Sequence, residues 1–211
     1  MDVTVRPLQS RELQAASRLL ARAFAHDPFI GYFFADQRRR RSALPPFFRA
    51  VLHQLADSHA IFACEVENRL TGVAAWLPPE PAETTRRSAW LARVASMEVR
   101  ILFPRAKARV LAGFEELGQR HPATPHWYLA FVGIEPGQQG RGLGTSLLAP
   151  VLQRADEAGV TCYLETPFPE TRAFYRRLGF GDTEELHPAL GAPPIWTMTR
   201  GPGSASAVSS G

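Results

Sequence analysis

Gln139-Gly140-Arg141-Gly142-Leu143-Gly144-Thr145 carries the sharpest chemistry in the sequence. It stands between a run that reads as a strand, Trp127 to Ile134, and one that reads as a helix, Leu143 to Ala158. Glycines at such a junction let the backbone approach a ligand closely and aim several N–H groups at one point. The helix N-terminus adds partial positive charge, so the loop suits a phosphate or pyrophosphate. Spacing excludes two familiar phosphate sites. The nucleotide P-loop requires Lys where Leu143 stands. The dinucleotide pattern G-x-G-x-x-G fails from Gly140, which meets Thr145 at its third position, and from Gly142, which meets Leu147.

The pattern that fits is [Q/R]-x-x-G-x-[G/A], with Gln139, Gly142 and Gly144. It resembles the acyl-CoA loop of the GNAT N-acetyltransferase superfamily. Val132-Gly133-Ile134 precedes the loop as the family's fourth strand does, and Tyr163-Leu164-Glu165-Thr166 stands where the fifth belongs. Phe174-Tyr175-Arg176-Arg177-Leu178-Gly179-Phe180 is similar to the family's F-Y-x-x-x-G-F signature. Gly72 to Leu77 matches the second and third strands more loosely. Trp127-Tyr128-Leu129-Ala130, Leu164-Glu165-Thr166, Trp196-Thr197-Met198-Thr199-Arg200 and the odd Pro150 resemble the puromycin-acetylating branch of that superfamily. The N-terminal third, which shapes the acceptor site, is similar only in pattern.

The resemblance implies an α/β (α+β) GNAT fold: a mixed central sheet, splayed between its fourth and fifth strands and flanked by helices. It implies direct transfer of acetyl from acetyl-CoA to an amine, without a metal. A backbone N–H among Val132, Gly133 and Ile134 would polarise the thioester carbonyl. The pantetheine would pair with that strand edge. The pyrophosphate would lie on the N–H groups of Gln139, Gly140, Arg141, Gly142, Leu143, Gly144 and Thr145. Tyr175 occupies the place of the family's proton-donating tyrosine, and a phenol with pKa near 10 can protonate a thiolate at neutral pH.

Two residues compete as general base. Glu165 ends the fifth strand beside the cleft and matches the branch's glutamate; its alternative is a structural carboxylate paired with an Arg. His126 precedes the fourth strand; its alternative is a surface or cap histidine. Asp27 sits at the end of the first helix, where family acceptor sites lie. Phe29, Tyr32, Phe33, Trp76, Trp127 and Phe168 are candidate walls of an aromatic acceptor pocket. That set predicts a small, partly apolar amine as acceptor, an antibiotic or related natural product. A protein N-terminus or lysine, or a non-catalytic acyl-CoA sensor, are the competing readings.

These residues need elements to hold them. Alternation predicts strands at Val3 to Arg6, Ala60 to Val66, Leu70 to Leu77, Val160 to Thr166, Phe180 to Leu186 and Ile195 to Arg200. Helical spacing predicts helices from Arg11 to a stop at Pro28, over Phe47 to Leu55, over Leu143 to Ala158 and over Thr171 to Leu178. The Arg38 to Arg41 run reads as a solvated helix start or loop, and Pro150 as a kink or break. The chain's 211 residues suit one domain over 1–200, with a helical insert at about 84–121 and a disordered tail at 201–211.

Composition narrows the rest. With 45% apolar and 21% charged residues the chain reads as globular. A net charge of +4 is too small to indicate a nucleic-acid partner, yet it favours a polyanionic ligand. Cys64 and Cys162 form no C-x-x-C and read as core residues, and a cytoplasmic setting is the default. No apolar stretch reaches the roughly 18 residues of a membrane span, and the N-terminus lacks a signal peptide's apolar region. A homodimer is left open.

Overall fold

The computed structural model describes residues 2–79, 116–187 and 192–204. The strands are β1 Val3–Pro7, β2 Ile61–Val66, β3 Arg69–Leu77, β4 His126–Ile134, β5 Thr161–Thr166, β6 Gly181–Leu186 and β7 Ile195–Arg200. They form one sheet in the order β1-β2-β3-β4-β5-β7-β6. The β4–β5 pair is parallel and the other pairs are antiparallel. Helices α1 Leu13–Ala23, α2 Pro28–Phe33 and α3 Gln37–Leu55 fall between β1 and β2 in the chain. α4 Leu143–Ala158 links β4 to β5, and α5 Pro169–Arg177 links β5 to β6. This is the mixed, open GNAT sheet that the resemblance implies.

Period two along the strands sorts the core into two layers. Val73 and Ala75 of β3 pack with Leu19, Leu20, Phe48 and Leu52 of α1 and α3. Ala74 and Trp76, one residue out of phase, pack with Leu147, Leu148 and Val151 of α4. Burial on both faces explains why Thr71 to Trp76 is buried without interruption. Glu67 and Asn68, at φ 51° and 61°, make a two-residue turn that matches the twist of β2 and β3.

Three helix expectations change. α1 ends at Ala23, so Pro28 does not stop it; Pro28 is the first residue of α2, where its missing N–H costs nothing. The Arg38 to Arg41 run is not a separate segment from Phe47 to Leu55. Both belong to α3, because Asp36 Oδ1 accepts from Arg38 N at 2.9 Å and Arg39 N at 3.2 Å and starts the helix early. α4 continues unbroken past Pro150. The lost bond falls on the carbonyl of Ser146, an exposed residue.

The tail also changes in part. Residues 201–204 form a turn docked on α4, with Gly203 N donating to Asp156 Oδ1 at 2.7 Å. Arg200 holds the same carboxylate with two 2.7 Å bonds and donates from Nε to Leu178 O at 2.8 Å, with its side chain only 1% exposed. Of the expected insert, 84–115 lies outside the described residues, and 116–118 is a helical turn. No helix among the described residues is long and apolar enough to cross a membrane.

Candidate active site

β4 and β5 pair over four rungs, from His126 opposite Thr161 to Leu129 opposite Leu164. There the register of β4 against β3 also shifts: Trp76 faces Leu129 but Ala75 faces Phe131, which leaves Ala130 as an extra residue. Beyond this bulge, among the described residues, β4 is paired only to β3. Backbone groups on its other edge look into the gap beside β5. The expected donors Val132, Gly133 and Ile134 lie on that stretch. Gly133 has a packing duty as well. A Cβ there would stand 2.9 Å from Ala23 Cβ and from Leu20 Cδ2, so its absence lets α1 lie directly on β4.

The glycine loop leaves β4 and enters α4. Gly137, Gly140 and Gly142 have φ of 87°, 76° and 79°, the left-handed region that favours glycine. A Cβ on any of them would meet nothing within 4 Å, so the inner surface of the loop is open. Gly142 caps α4 without a side chain, which leaves the first-turn amides of Leu143, Gly144 and Thr145 free for an anion. Leu143 is buried and anchors the loop, and Gln139 Nε2 donates to Ile134 O at 3.3 Å. Gly144 serves packing: a Cβ there would lie 3.1 Å from the Phe174 ring. Glu135 ties the loop's start to α1 through two bonds from Arg22, at 2.7 and 2.6 Å. Open glycines, free amides and a helix N-terminus fit a pyrophosphate. We expect Gly142→Asp to weaken acetyl-CoA binding by at least about 10²-fold, because it sets a carboxylate against the phosphates at short range. Calorimetry with acetyl-CoA and an unchanged circular dichroism spectrum would check it.

Tyr175 of α5 is 7% exposed and sits against the rings of Phe174, at 5.0 Å, and Phe180, at 5.9 Å. Burial raises its phenol well above the ordinary value, so it keeps its proton at any physiological pH. That is the state a proton donor needs.

Glu165 follows the last β4–β5 rung, and its side chain is 7% exposed. Among the described residues its carboxylate is not paired with an Arg. His121 Nε2 lies 3.3 Å from Oε1 but off the line of a hydrogen bond, so Oε1 is buried without a hydrogen-bond donor. The tyrosines of the parallel rung, Tyr128 and Tyr163, share this face; burial first, then the Glu165 charge, raises both phenols well above the ordinary value. His126 stands behind His121, with Nε2 3.1 Å from His121 Nδ1 and Nδ1 2.8 Å from Thr124 O. Burial lowers its pKa, so it rests neutral. The two candidate bases therefore belong to one cluster, completed by His121, Tyr128 and Tyr163. Period two would have found the tyrosines. His126 and Tyr128 are two apart on β4, and Tyr163 and Glu165 two apart on β5. His121 lies outside any strand and gave no such signal.

Residues 22–180 match the acetyltransferase (GNAT) family. The chain belongs to that family. Enzymes of that family use acetyl-CoA. The structure of "histone acetyltransferase HPA2 and related acetyltransferase" from Corynebacterium glutamicum is similar at 25% identity and TM-score 0.74, covering 96% of this chain and 97% of that one. A mosquito arylalkylamine N-acetyltransferase-like protein shares the fold at 14% identity and TM-score 0.64, covering 95% and 100%. A probable serine/threonine-protein kinase of Dictyostelium discoideum is 22% identical over 92% of this chain and 23% of its own length. The chain thus spans about a quarter of the length of the curated relatives it matches.

The candidate aromatic residues whose side chains are described do not form one wall. Phe29 and Tyr32 pack in the α1–α3 layer. Trp76 and Trp127 pack in the α4 layer, their rings 6.5 Å apart and nearly perpendicular. The sheet lies between the two sets, because Trp127 is one residue out of phase with His126 and Tyr128. Phe168 follows β5 and opens α5, where its N–H is held by Thr166 Oγ1 at 3.3 Å. The side chain of Phe33 lies outside the described ones. Asp27, 4% exposed, is occupied as the N-cap of α2, accepting from Ile30 N at 2.7 Å.

Burial pushes the Asp27 carboxyl up to about 6 from 3.8, against the Ile30 and Phe29 amides and Arg40. The folded state therefore holds this proton more tightly than the unfolded chain. Its contribution is fully present below 3.8 and is lost as pH rises through about 6. Asn keeps the cap without the charge. Asp27→Asn is expected to raise stability at about pH 8, by up to ~3 kcal/mol, and to change little at about pH 4. Urea unfolding at the two pH values would check it.

Proposed function

We propose that this acetyltransferase acetylates a small, partly apolar primary amine, with Glu165 as first acceptor of the ammonium proton. The observation that carries this reading is the carboxylate itself: buried at the mouth of the β4–β5 gap, with one oxygen lacking a hydrogen-bond donor. An ammonium is the donor such an oxygen lacks. Phe29 and Tyr32 line the α1–α3 layer, and the puromycin-type likeness of the C-terminal half points to an aromatic acceptor. The mosquito neighbour's description as an arylalkylamine N-acetyltransferase-like protein agrees with this class.

The division of labour follows. The amides of residues 139–145 bind the pyrophosphate. A backbone N–H among Val132, Gly133 and Ile134 stabilises the developing oxyanion. Glu165 takes the proton that frees the amine lone pair; Tyr175 gives its O–H proton to the leaving thiolate, and the second N–H proton, lost as the amide forms, restores the phenol. Acetyl-CoA supplies the activated acyl group. Tyr175→Phe is expected to lower kcat by about 10²-fold with acetyl-CoA binding unchanged, read from released thiol and calorimetry.

The acceptor is tested by supplying acetyl-CoA with arylalkylamines, polyamines, puromycin, and peptides bearing free N-termini or lysines. Turnover of arylalkylamines or puromycin well above that of peptides is the expected result. Efficient peptide acetylation with inert aromatic amines would overturn the proposal and favour a protein acceptor.

A further inference from the structure

A carbonyl oxygen can only accept a hydrogen bond. His126 Nδ1, 2.8 Å from Thr124 O, must therefore carry a proton. In the neutral ring Nε2 is then an acceptor, so His121 Nδ1, 3.1 Å away, must be the donor. That assignment leaves the lone pair of neutral His121 on Nε2, the nitrogen 3.3 Å from Glu165 Oε1. The backbone at Thr124 thus sets the tautomer of a ring two steps away. That nitrogen and the Glu165 carboxylate face each other, and a further proton would lie between them.

We propose that His121 is the proton reservoir of the active site, positioned by His126 and the Thr124 carbonyl and loaded through Glu165. The proposal rests on Glu165 as first acceptor. The balance is simple. The N–H bond of the acceptor ammonium breaks and an O–H bond forms on Glu165. That O–H bond then breaks and an N–H bond forms at His121 Nε2. The free amine now faces a restored carboxylate, and the positive charge sits on the imidazole beside it. The charge can be shared inward: the Nδ1 proton of His121 can shift to His126 Nε2, which leaves His121 neutral and His126 cationic. Burial lowers the pKa of His126, so the charge favours the ring beside the carboxylate. Water takes the proton from Nε2 after the product leaves.

Among the described residues, the groups around this pair are Tyr128 of β4 and Tyr163 and Glu165 of β5. The His121 ring centre lies 4.5 Å from that of Tyr128 and 4.7 Å from that of Tyr163. The Arg120–Glu184 ion pair acts on Tyr163 from behind. The sequence offered Glu165 and His126 as rivals. Here they are the two ends of one chain, joined by a histidine that neither motif contains.

The test begins without any acceptor. Long-range proton–nitrogen correlation spectra of protein labelled at histidine report each ring's tautomer. Both His121 and His126 are expected as Nδ1–H in the neutral range, the tautomer free imidazole disfavours. A second proton on His121 should appear at Nε2, beside Glu165, and Glu165→Gln should change the Nε2 signal of His121. A neutral Nε2–H tautomer at His121, or a His121 spectrum indifferent to Glu165→Gln, overturns the proposal.

The kinetic arm uses phenylethylamine. His121→Ala should lower kcat by about 10²-fold and shift the acidic limb, with acetyl-CoA KM unchanged. Combined with Glu165→Gln it should add little, since both act on one proton; multiplicative losses overturn the relay. If phenylethylamine and puromycin are both inert while peptides turn over, the acceptor proposal falls, while the tautomer spectra still decide the relay.

Discussion

Replacing Glu165 by Gln is expected to lower kcat by about 10²- to 10³-fold and to leave acetyl-CoA binding unchanged. Gln matches the shape of the carboxylate but cannot take a proton. It also places a neutral amide where the buried oxygen of Glu165 lacks a donor, so the fold has little reason to object. The acidic limb of kcat/KM should vanish or move once the amine's own titration is allowed for. His126→Ala, by contrast, should retain the limb in altered form, because it disturbs the tautomer of His121 without removing the first acceptor. A Glu165→Gln enzyme with wild-type kcat, where chemistry limits the rate, would remove Glu165 from the mechanism.

Asp156→Ala is expected to destabilise the fold by about 3 kcal/mol and lower Tm by about 6–12 °C. The carboxylate carries two bonds from Arg200 and one from Gly203 N. Without it the guanidinium, 1% exposed, keeps, among the described residues, only the carbonyl of Leu178. Arg200 holds the Asp156 carboxyl below its ordinary value, so this support is present above the usual carboxylate range and is lost as pH falls through the lowered pKa. Adding Arg200→Met to Asp156→Ala should recover part of the loss, because a buried charge no longer lacks its partner. Thermal denaturation of the three variants would show it.

Much of the candidate site was legible because the relevant signals are local. A glycine spacing locates the loop, and strand order locates Glu165 and Tyr175. The acceptor face was read less well, for two physical reasons. First, aromatic residues were grouped by type without being sorted by strand phase. Trp127 differs by one position from His126 and Tyr128, and that single step puts it across the sheet from Phe29 and Tyr32. Second, proline was given too much weight as a breaker. Pro28 opens α2, while α3 and α4 accommodate Pro45, Pro46 and Pro150, where packing of the apolar face outweighs one missing bond. His121 was illegible for a different reason. Its place depends on a turn between Arg120 and His126 and on a contact with a residue 44 positions later, which no period describes.

The short β4–β5 contact has a consequence for motion. Only four rungs join the β1–β4 ladder to the β5–β7–β6 ladder, so the seam is the place where the two can breathe apart. Amides on the free edge of β4 past Ala130 should exchange with deuterium faster than those paired to β3. Acetyl-CoA, lying along that edge, would act as a temporary strand and slow them. A protection map in the presence and absence of the co-substrate would therefore trace its path residue by residue, and the last amides to gain protection should mark the end of the thioester arm.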